Sequence, residues 1–173
     1  MSKIVAIDPA APDAAVIHRA VYILRQGRMV VVPTRHLYGL AVDALNPPAI
    51  ERVFAAKQRP LDQPLLILVA ARDDVRKVAQ SIDAKAEALM DAFWPGKLTV
   101  ILDARPILPP PLTGGTGRVG IRLTGHPVCQ ALGIGCSDKV LRFLVPEQDV
   151  AIGTAKGDEL AVSAVGYAGD DGL

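Results

Sequence analysis

Residues 118–123 divide by parity: Val119, Ile121 and Leu123 are apolar, whereas Arg118, Gly120 and Arg122 are not. Side chains alternate across an extended chain, so the pattern predicts a strand with one face in the core and a cationic opposite face. A glycine between two arginines removes the side chain that would part them and lets a ligand lie against the backbone. A solvated sheet edge carries the same pattern, and both readings stand on the strand alone. Upstream the period becomes helical. Val16, Ala20, Ile23 and Leu24 line one face of residues 14–25, and Gly27 follows as a stop. Asn46 as N-cap and Pro47 in the first turn open a second helix over 47–56, with Ile50, Val53 and Phe54 facing inward. Apolar runs at 29–33, 65–69 and 98–102 read as strands, and 73–93 as an amphipathic stretch broken near Ser81. A Pro/Gly-rich connection, 103–117, holds Pro109, Pro110 and Pro111 and then Thr113-Gly114-Gly115-Thr116-Gly117. The alternation of elements reads as α/β or α+β.

Composition narrows the class. At 173 residues the chain can bury one sizeable core, and a second independent domain would be cramped. Hydrophobic residues at 50% and charged ones at 21% describe a globular chain and not a disordered one. A formal net charge of +1 gives no overall attraction to a polyanion, so any nucleic-acid contact has to come from a local patch. Cys129 and Cys136 have no second pair and no histidine at zinc-site spacing, so neither a disulfide nor a structural metal is expected. No charged-then-apolar leader is visible, and the longest apolar runs, such as 64–71, fall far short of a bilayer span. The expectation is a cytoplasmic protein with no membrane partner.

Candidate chemistry concentrates in Lys57-Gln58-Arg59-Pro60, which follows Pro33-Thr34-Arg35-His36-Leu37-Tyr38-Gly39-Leu40 and precedes Pro64-Leu65-Leu66-Ile67-Leu68-Val69. Lys57 lies nearly two turns after Ile50, so a helix reaching that far aims its ammonium along the buried side. Either it snorkels past the helix end to cap the last carbonyls, or it meets an anion. Arg59, two residues on, favours the anion. Arginine grips planar carboxylates and phosphates through paired hydrogen bonds, while lysine serves as a compact point charge. Lys57, Arg59 and Arg122 together suit a shared anion-binding cleft.

With Ala92-Phe93-Trp94-Pro95-Gly96-Lys97-Leu98-Thr99 and Gly120-Ile121-Arg122-Leu123-Thr124-Gly125-His126-Pro127, these ordered motifs resemble the YrdC-like family. The resemblance covers roughly residues 15–132. It implies an α/β fold of the α+β type, a YrdC-like twisted mixed sheet flanked by helices around a basic concave cleft, incomplete at the C-terminus. It also implies an L-threonylcarbamoyladenylate synthase, a nucleotidyltransferase that makes threonylcarbamoyl-AMP and pyrophosphate from L-threonine, bicarbonate and ATP, with Mg accompanying ATP. The product serves tRNA threonylcarbamoyladenosine modification, which makes the downstream tRNA threonylcarbamoyl transferase machinery, and tRNA or double-stranded RNA, the implied partners. By the same resemblance Lys57 and Arg59 are the catalytic cations. Thr34, His36, Tyr38, Arg118 and Arg122 join them in binding substrate and nucleotide.

The chain departs from the family pattern in three respects. Arg35 and His36 replace a glutamate and a threonine of the first motif, the latter a contact to the threonine substrate. Leu68 stands where many members have histidine, and Lys97 where proline is common. A Ser-x-Asn signature expected downstream of Arg122, and later serine and arginine residues that close over the nucleotide, have no counterpart. The local sequence is Val140-Leu141-Arg142-Phe143-Leu144, and Ser163-Ala164-Val165 comes late and ends in valine. Residues 1–132 therefore read as the YrdC-like domain and 133–173 as an atypical tail, such as a shifted frame or a truncation produces. Two alternatives follow: a catalytically impaired module binding double-stranded RNA or tRNA, and an inactive fragment. His126 before Pro127 reads as a cap or loop residue, and His18 as a surface residue. The 113–117 segment lacks the Lys-Ser/Thr ending of a phosphate loop and reads as a flexible connection, while Phe93 and Trp94 read as core.

Overall fold

The computed structural model describes residues 3–34, 38–135, 142–144 and 160–164. The chain runs β1 (Lys3–Ile7), α1 (Ala14–Arg25), β2 (Val30–Pro33), β3 (Tyr38–Val42), α2 (Pro47–Lys57) and β4 (Leu66–Val69). After a 3-10 turn (Arg72–Lys77) come α3 (Ala84–Phe93), β5 (Val100–Asp103), α4 (Pro110–Thr113), β6 (Arg118–Leu123), α5 (Pro127–Gly135), β7 (Arg142–Leu144) and β8 (Leu160–Ala164). These strands form one sheet in the order β1-β8-β2-β3-β7-β4-β6-β5. It is mixed: β1/β8, β2/β8 and β4/β6 are parallel, and the remaining pairs are antiparallel.

Both faces of the sheet are covered, and β4 shows how. Ile67 and Val69 join one apolar cluster with Ile50, Val53 and Phe54 of α2, Met90 of α3 and Leu112 of α4. Leu68 points the other way, into a cluster with Ala20 and Leu24 of α1 and Val128, Cys129 and Leu132 of α5. A strand buried on both sides has to be apolar at every position, which is why this run carries no alternation. In β6, Val119 and Ile121 are fully buried, as the parity of the sequence requires.

Local signals set the helix ends. Asp13 caps α1, its carboxylate accepting from the Ala15 and Val16 amides at 2.8 and 3.0 Å, and Gly27 closes the helix at φ +71°. Asn46 caps α2 by accepting from the Ala49 amide at 3.2 Å. The other end of α2 carries no such sequence signal: Gln58 adopts the left-handed conformation at φ +50°. That reversal returns the Arg59 amide to the Phe54 carbonyl at 3.0 Å and turns the chain back towards the sheet.

The structure bears out one local expectation and corrects two others. The 73–93 stretch is broken around Ser81, as its pattern predicts: Val78 and Ala79 turn into the core, Ala79 bridges to Ala104, and Asp83 starts α3 afresh by accepting from the Ala86 amide at 2.6 Å. Phe93 is 58% exposed, because α3 ends there and presents it to solvent, although Trp94 packs against the core. The 113–117 segment is not a flexible connection, since its hydroxyls and amides bond internally and its backbone packs on 62–64. Residues 142–144 and 160–164 form β7 and β8, which occupy interior places in the sheet. Among the described residues no helix is long and apolar enough to cross a membrane.

Candidate functional site

Arg122 lies at the polar end of an apolar row. Register carries Ala41 of β3 to Phe143 of β7, to Leu68 of β4 and then to Arg122 of β6. The Arg122 Nε and Nη2 both donate to the Thr99 hydroxyl, at 3.0 and 2.7 Å, so the guanidinium is fixed in direction. Two residues back, Gly120 pairs with Leu66 on one side and Ile101 on the other. Ile101 is 65% exposed, which leaves this strip of the sheet open to solvent. A Cβ on Gly120 would sit 3.2 Å from the Thr99 methyl, tighter than side chains normally pack. Two residues further, Arg118 is exposed and pairs with Asp103 at 3.7 Å. The two arginines share one face, about 13 Å apart along the strand.

The Lys57–Arg59 corner meets the opposite end of β4. Arg59 donates from Nε to the Gln63 carbonyl at 3.3 Å and from Nη2 to the Pro64 carbonyl at 3.1 Å. The β4/β6 register, extended two residues beyond Leu66 and Gly120, puts Pro64 level with Arg118. Lys57, the last residue of α2, is half-buried. Partial burial, and secondarily the Arg59 charge beside it, hold its pKa below the usual lysine value. Two cations sharing a partly dehydrated corner is a costly arrangement unless an anion joins them.

The β2/β3 hairpin brings in the remaining candidates. Thr34 directly follows β2, and Tyr38 opens β3 opposite Pro33. His36 lies outside the described residues. The Pro33 carbonyl accepts from the Cys129 thiol of α5 at 3.0 Å, which ties the hairpin to that helix. Burial pushes the Cys129 thiol up to about 12, so it is an inert core group and not a nucleophile. The start of α5 is fixed by the Thr124 amide on the Val69 carbonyl at 3.1 Å and by Gln130 on the Thr124 carbonyl at 3.1 Å. His126, 4% exposed, is held there with its pKa lowered by burial, a structural position in keeping with a cap or loop role. Gly125 faces Pro95, so the Trp94-Pro95-Gly96 turn closes this side of the site.

The structure thus gathers Arg118 and Arg122 on one strand face and sets the Lys57–Arg59 corner at the head of the neighbouring strand. Thr34 and Tyr38 lie at the mouth of a hairpin whose strand β3 is three strands from β6, about 14 Å. Such a span suits a ligand with several separated anionic groups. Two residues that matter here carried no role in the sequence: Thr99, which aims Arg122, and Gly114, which packs under the Arg59 loop. Among the described residues no group of three or more His, Cys, Asp or Glu could hold a metal ion.

The family Sua5_yciO_yrdC, described as telomere recombination, matches residues 22–140. A curated threonylcarbamoyl-AMP synthase of Pyrococcus abyssi is 38% identical over 109 residues, which are 63% of this chain and 32% of that protein. The chain therefore spans about a third of the length of this relative. The crystal structure of Pyrococcus abyssi Sua5 complexed with L-threonine superposes with a TM-score of 0.77 at 33% identity, covering 83% of this chain and 41% of that one. Escherichia coli YciO gives a TM-score of 0.82 over 98% of this chain and 86% of its own, and at 23% identity it establishes the fold.

Proposed function

The chain belongs to the Sua5/YciO/YrdC family, and we propose that it is an L-threonylcarbamoyladenylate synthase, active through the cleft between the Lys57–Arg59 corner and the arginine face of β6. In the reaction the threonine amine takes the carbon of bicarbonate with loss of water, giving a carbamate. A carbamate oxygen then attacks the α-phosphorus of ATP, the bond to the bridging oxygen breaks, and pyrophosphate leaves. The reaction asks for anions held in line and for charge stabilised on phosphate oxygens, more than for a nucleophile on the protein. Lys57 and Arg59 are assigned to the phosphates as the catalytic cations, Arg122 and the more exposed Arg118 to nucleotide binding, and Thr34, His36 and Tyr38 to threonine. Mg enters with ATP, and the product passes to the machinery that modifies tRNA. Residues 1–132 form the YrdC-like domain in this reading, with 133–173 as an atypical tail.

The observation that carries the reading is the Lys57–Arg59 pair, two nearby cations with no carboxylate partner among the described residues, at the head of β4 and about 13 Å along the sheet from a third, fixed guanidinium, that of Arg122. The Pyrococcus abyssi relative crystallised with L-threonine supports the choice of amino acid. Pyrophosphate release measured with purified chain is expected to require threonine and bicarbonate together. Release that continues unchanged without threonine would remove this function.

A further inference from the structure

Gly114 carries no charge of its own, yet it touches the segment that holds one of the cations. It ends α4 in the left-handed region at φ +57°, and a Cβ there would lie 2.6 Å from the Asp62 carbonyl oxygen and 3.1 Å from the Pro64 nitrogen. Both neighbours are backbone, so neither can rotate aside. The adjacent Leu65 amide donates to the Leu112 carbonyl at 2.9 Å, which fastens the same segment to α4 a second time. On its other side that segment offers the Gln63 and Pro64 carbonyls to Arg59. The turn is itself stiff. The Thr113 hydroxyl donates to the Pro110 carbonyl at 3.0 Å, the Thr116 hydroxyl to the Thr113 carbonyl at 2.7 Å, and the Arg118 amide to the Thr116 hydroxyl at 3.2 Å. One short turn therefore joins the seat of Arg59 to the first residue of the arginine strand.

We propose that Gly114 is a positioning residue that fixes Arg59 relative to β6 through the backbone of residues 62–64, an inference that rests on the ATP-binding reading of Arg59 given above. Gly115 provides the internal control. Its φ is +75°, so alanine there meets the same left-handed strain, but nothing lies within 4 Å of its Cβ. Gly114→Ala and Gly115→Ala thus share the backbone penalty and differ in the collision.

Calorimetric titration with ATP is expected to show Gly114→Ala weakened on the order of tenfold or more, the scale of a misplacement of several tenths of an ångström. Gly115→Ala should stay within about twofold of the native chain. In the double variant with Arg59→Ala, Gly114→Ala should add no further loss, because it acts through Arg59. A second readout needs no ligand: in 15N NMR the Arg59 Nε–H resonance should shift in Gly114→Ala and stay in place in Gly115→Ala. Thr116→Val, at an exposed residue, loosens the same turn and should move both readouts in the same direction by less, which serves if Gly114→Ala does not fold. Native ATP affinity in folded Gly114→Ala, full additivity with Arg59→Ala, or an unmoved Arg59 resonance overturns the proposal, as would a Thr116→Val chain unchanged in both readouts if Gly114→Ala is unfolded. If Arg59→Ala itself leaves ATP binding intact, the nucleotide reading fails, and the Arg59 resonance still decides whether Gly114 positions that side chain.

Discussion

Lys57 is placed where its charge is disfavoured, by burial first and by Arg59 second, and both lower its pKa from 10.5. The protonated ammonium is the form that attracts phosphate, so ATP affinity should fall as pH rises through a Lys57 pKa lying below 10.5. In the unfolded chain this lysine keeps its proton to higher pH than in the folded one. The unfolded state then binds more protons within that window, so this group makes the unliganded protein more stable as pH rises across it. Removing Arg59 removes the second cause, and Lys57 should titrate closer to 10.5 in Arg59→Ala. Carbon NMR of the lysine Cε groups measures both, and a Lys57 that titrates normally in the native chain would contradict the arrangement. Arg59→Ala should itself weaken ATP binding by about 1.5 to 3 kcal/mol, the range for losing a hydrogen bond to a charged group, with little loss of fold stability. Arg122→Leu should behave likewise, whereas a merely solvated strand face predicts no ligand effect. Thr99→Val keeps the shape and deletes the hydroxyl that receives both Arg122 donors, so a smaller loss in the same titration is expected.

At the scale of elements, α5 is seated by a contact that leaves no room. A Cβ on Gly133 would collide with the Cβ of Ala70, just past the end of β4. Gly133→Ala should therefore destabilise the protein by about 1 to 3 kcal/mol, the usual cost of overpacking, despite alanine's better helix propensity. Urea denaturation checks this, and a gain in stability would mean that α5 is free to shift. Contacts of this kind explain which elements could be read from the chain alone. β6 was legible because Val119 and Ile121 must be buried while Arg118 and Arg122 must not, and α2 because Asn46 and Pro47 announce its start. Its end was placed within one residue, but the left-handed Gln58 that closes it was not legible, since such a glutamine has no sequence mark and is held by the return of Arg59 to Phe54. The break near Ser81 was legible too, and Asp83 just beyond it is the N-cap that restarts the helix, while Val78 and Ala79 keep the apolar spacing because they face the core from a turn. Lys57, Arg59 and Arg122 stood out by charge in unexpected places. Thr99 and Gly114 could not, because their roles exist only once β5, α4 and the 62–64 segment are brought together in space.

Over the whole molecule, the tail enters the sheet at two interior positions, each paired more fully on one side than on the other. Among the described residues β7 pairs with β3 at three positions and with β4 through Phe143 and Leu68, and β8 pairs with β1 at five positions and with β2 through two of its residues, to Val30 and Val31. β4 and β6, by comparison, are paired at four positions, and they carry the arginine face. The arginines of β6 are thus held by an extended pairing with β4, while the sequence that follows Leu132 lacks the Ser-x-Asn signature that resemblance leads one to expect. Under the proposed function, changing His36 would alter one substrate contact. Under the same proposed function, a cleft without the segment that closes over the nucleotide would leave phosphates open to water and poorly aligned, and misalignment costs rate more than a lost binding contact does. Replacing everything after Leu132 with a family-type segment, supplying its own strands for the places of β7 and β8, should therefore raise threonylcarbamoyl-AMP formation far more than His36→Thr. The comparison has to be made at equal folded fraction, judged by the cooperativity of urea unfolding. Should the native chain then turn over as fast as the graft, the cleft is complete without the signature, and the cations on β6 and at Lys57–Arg59 suffice for the reaction.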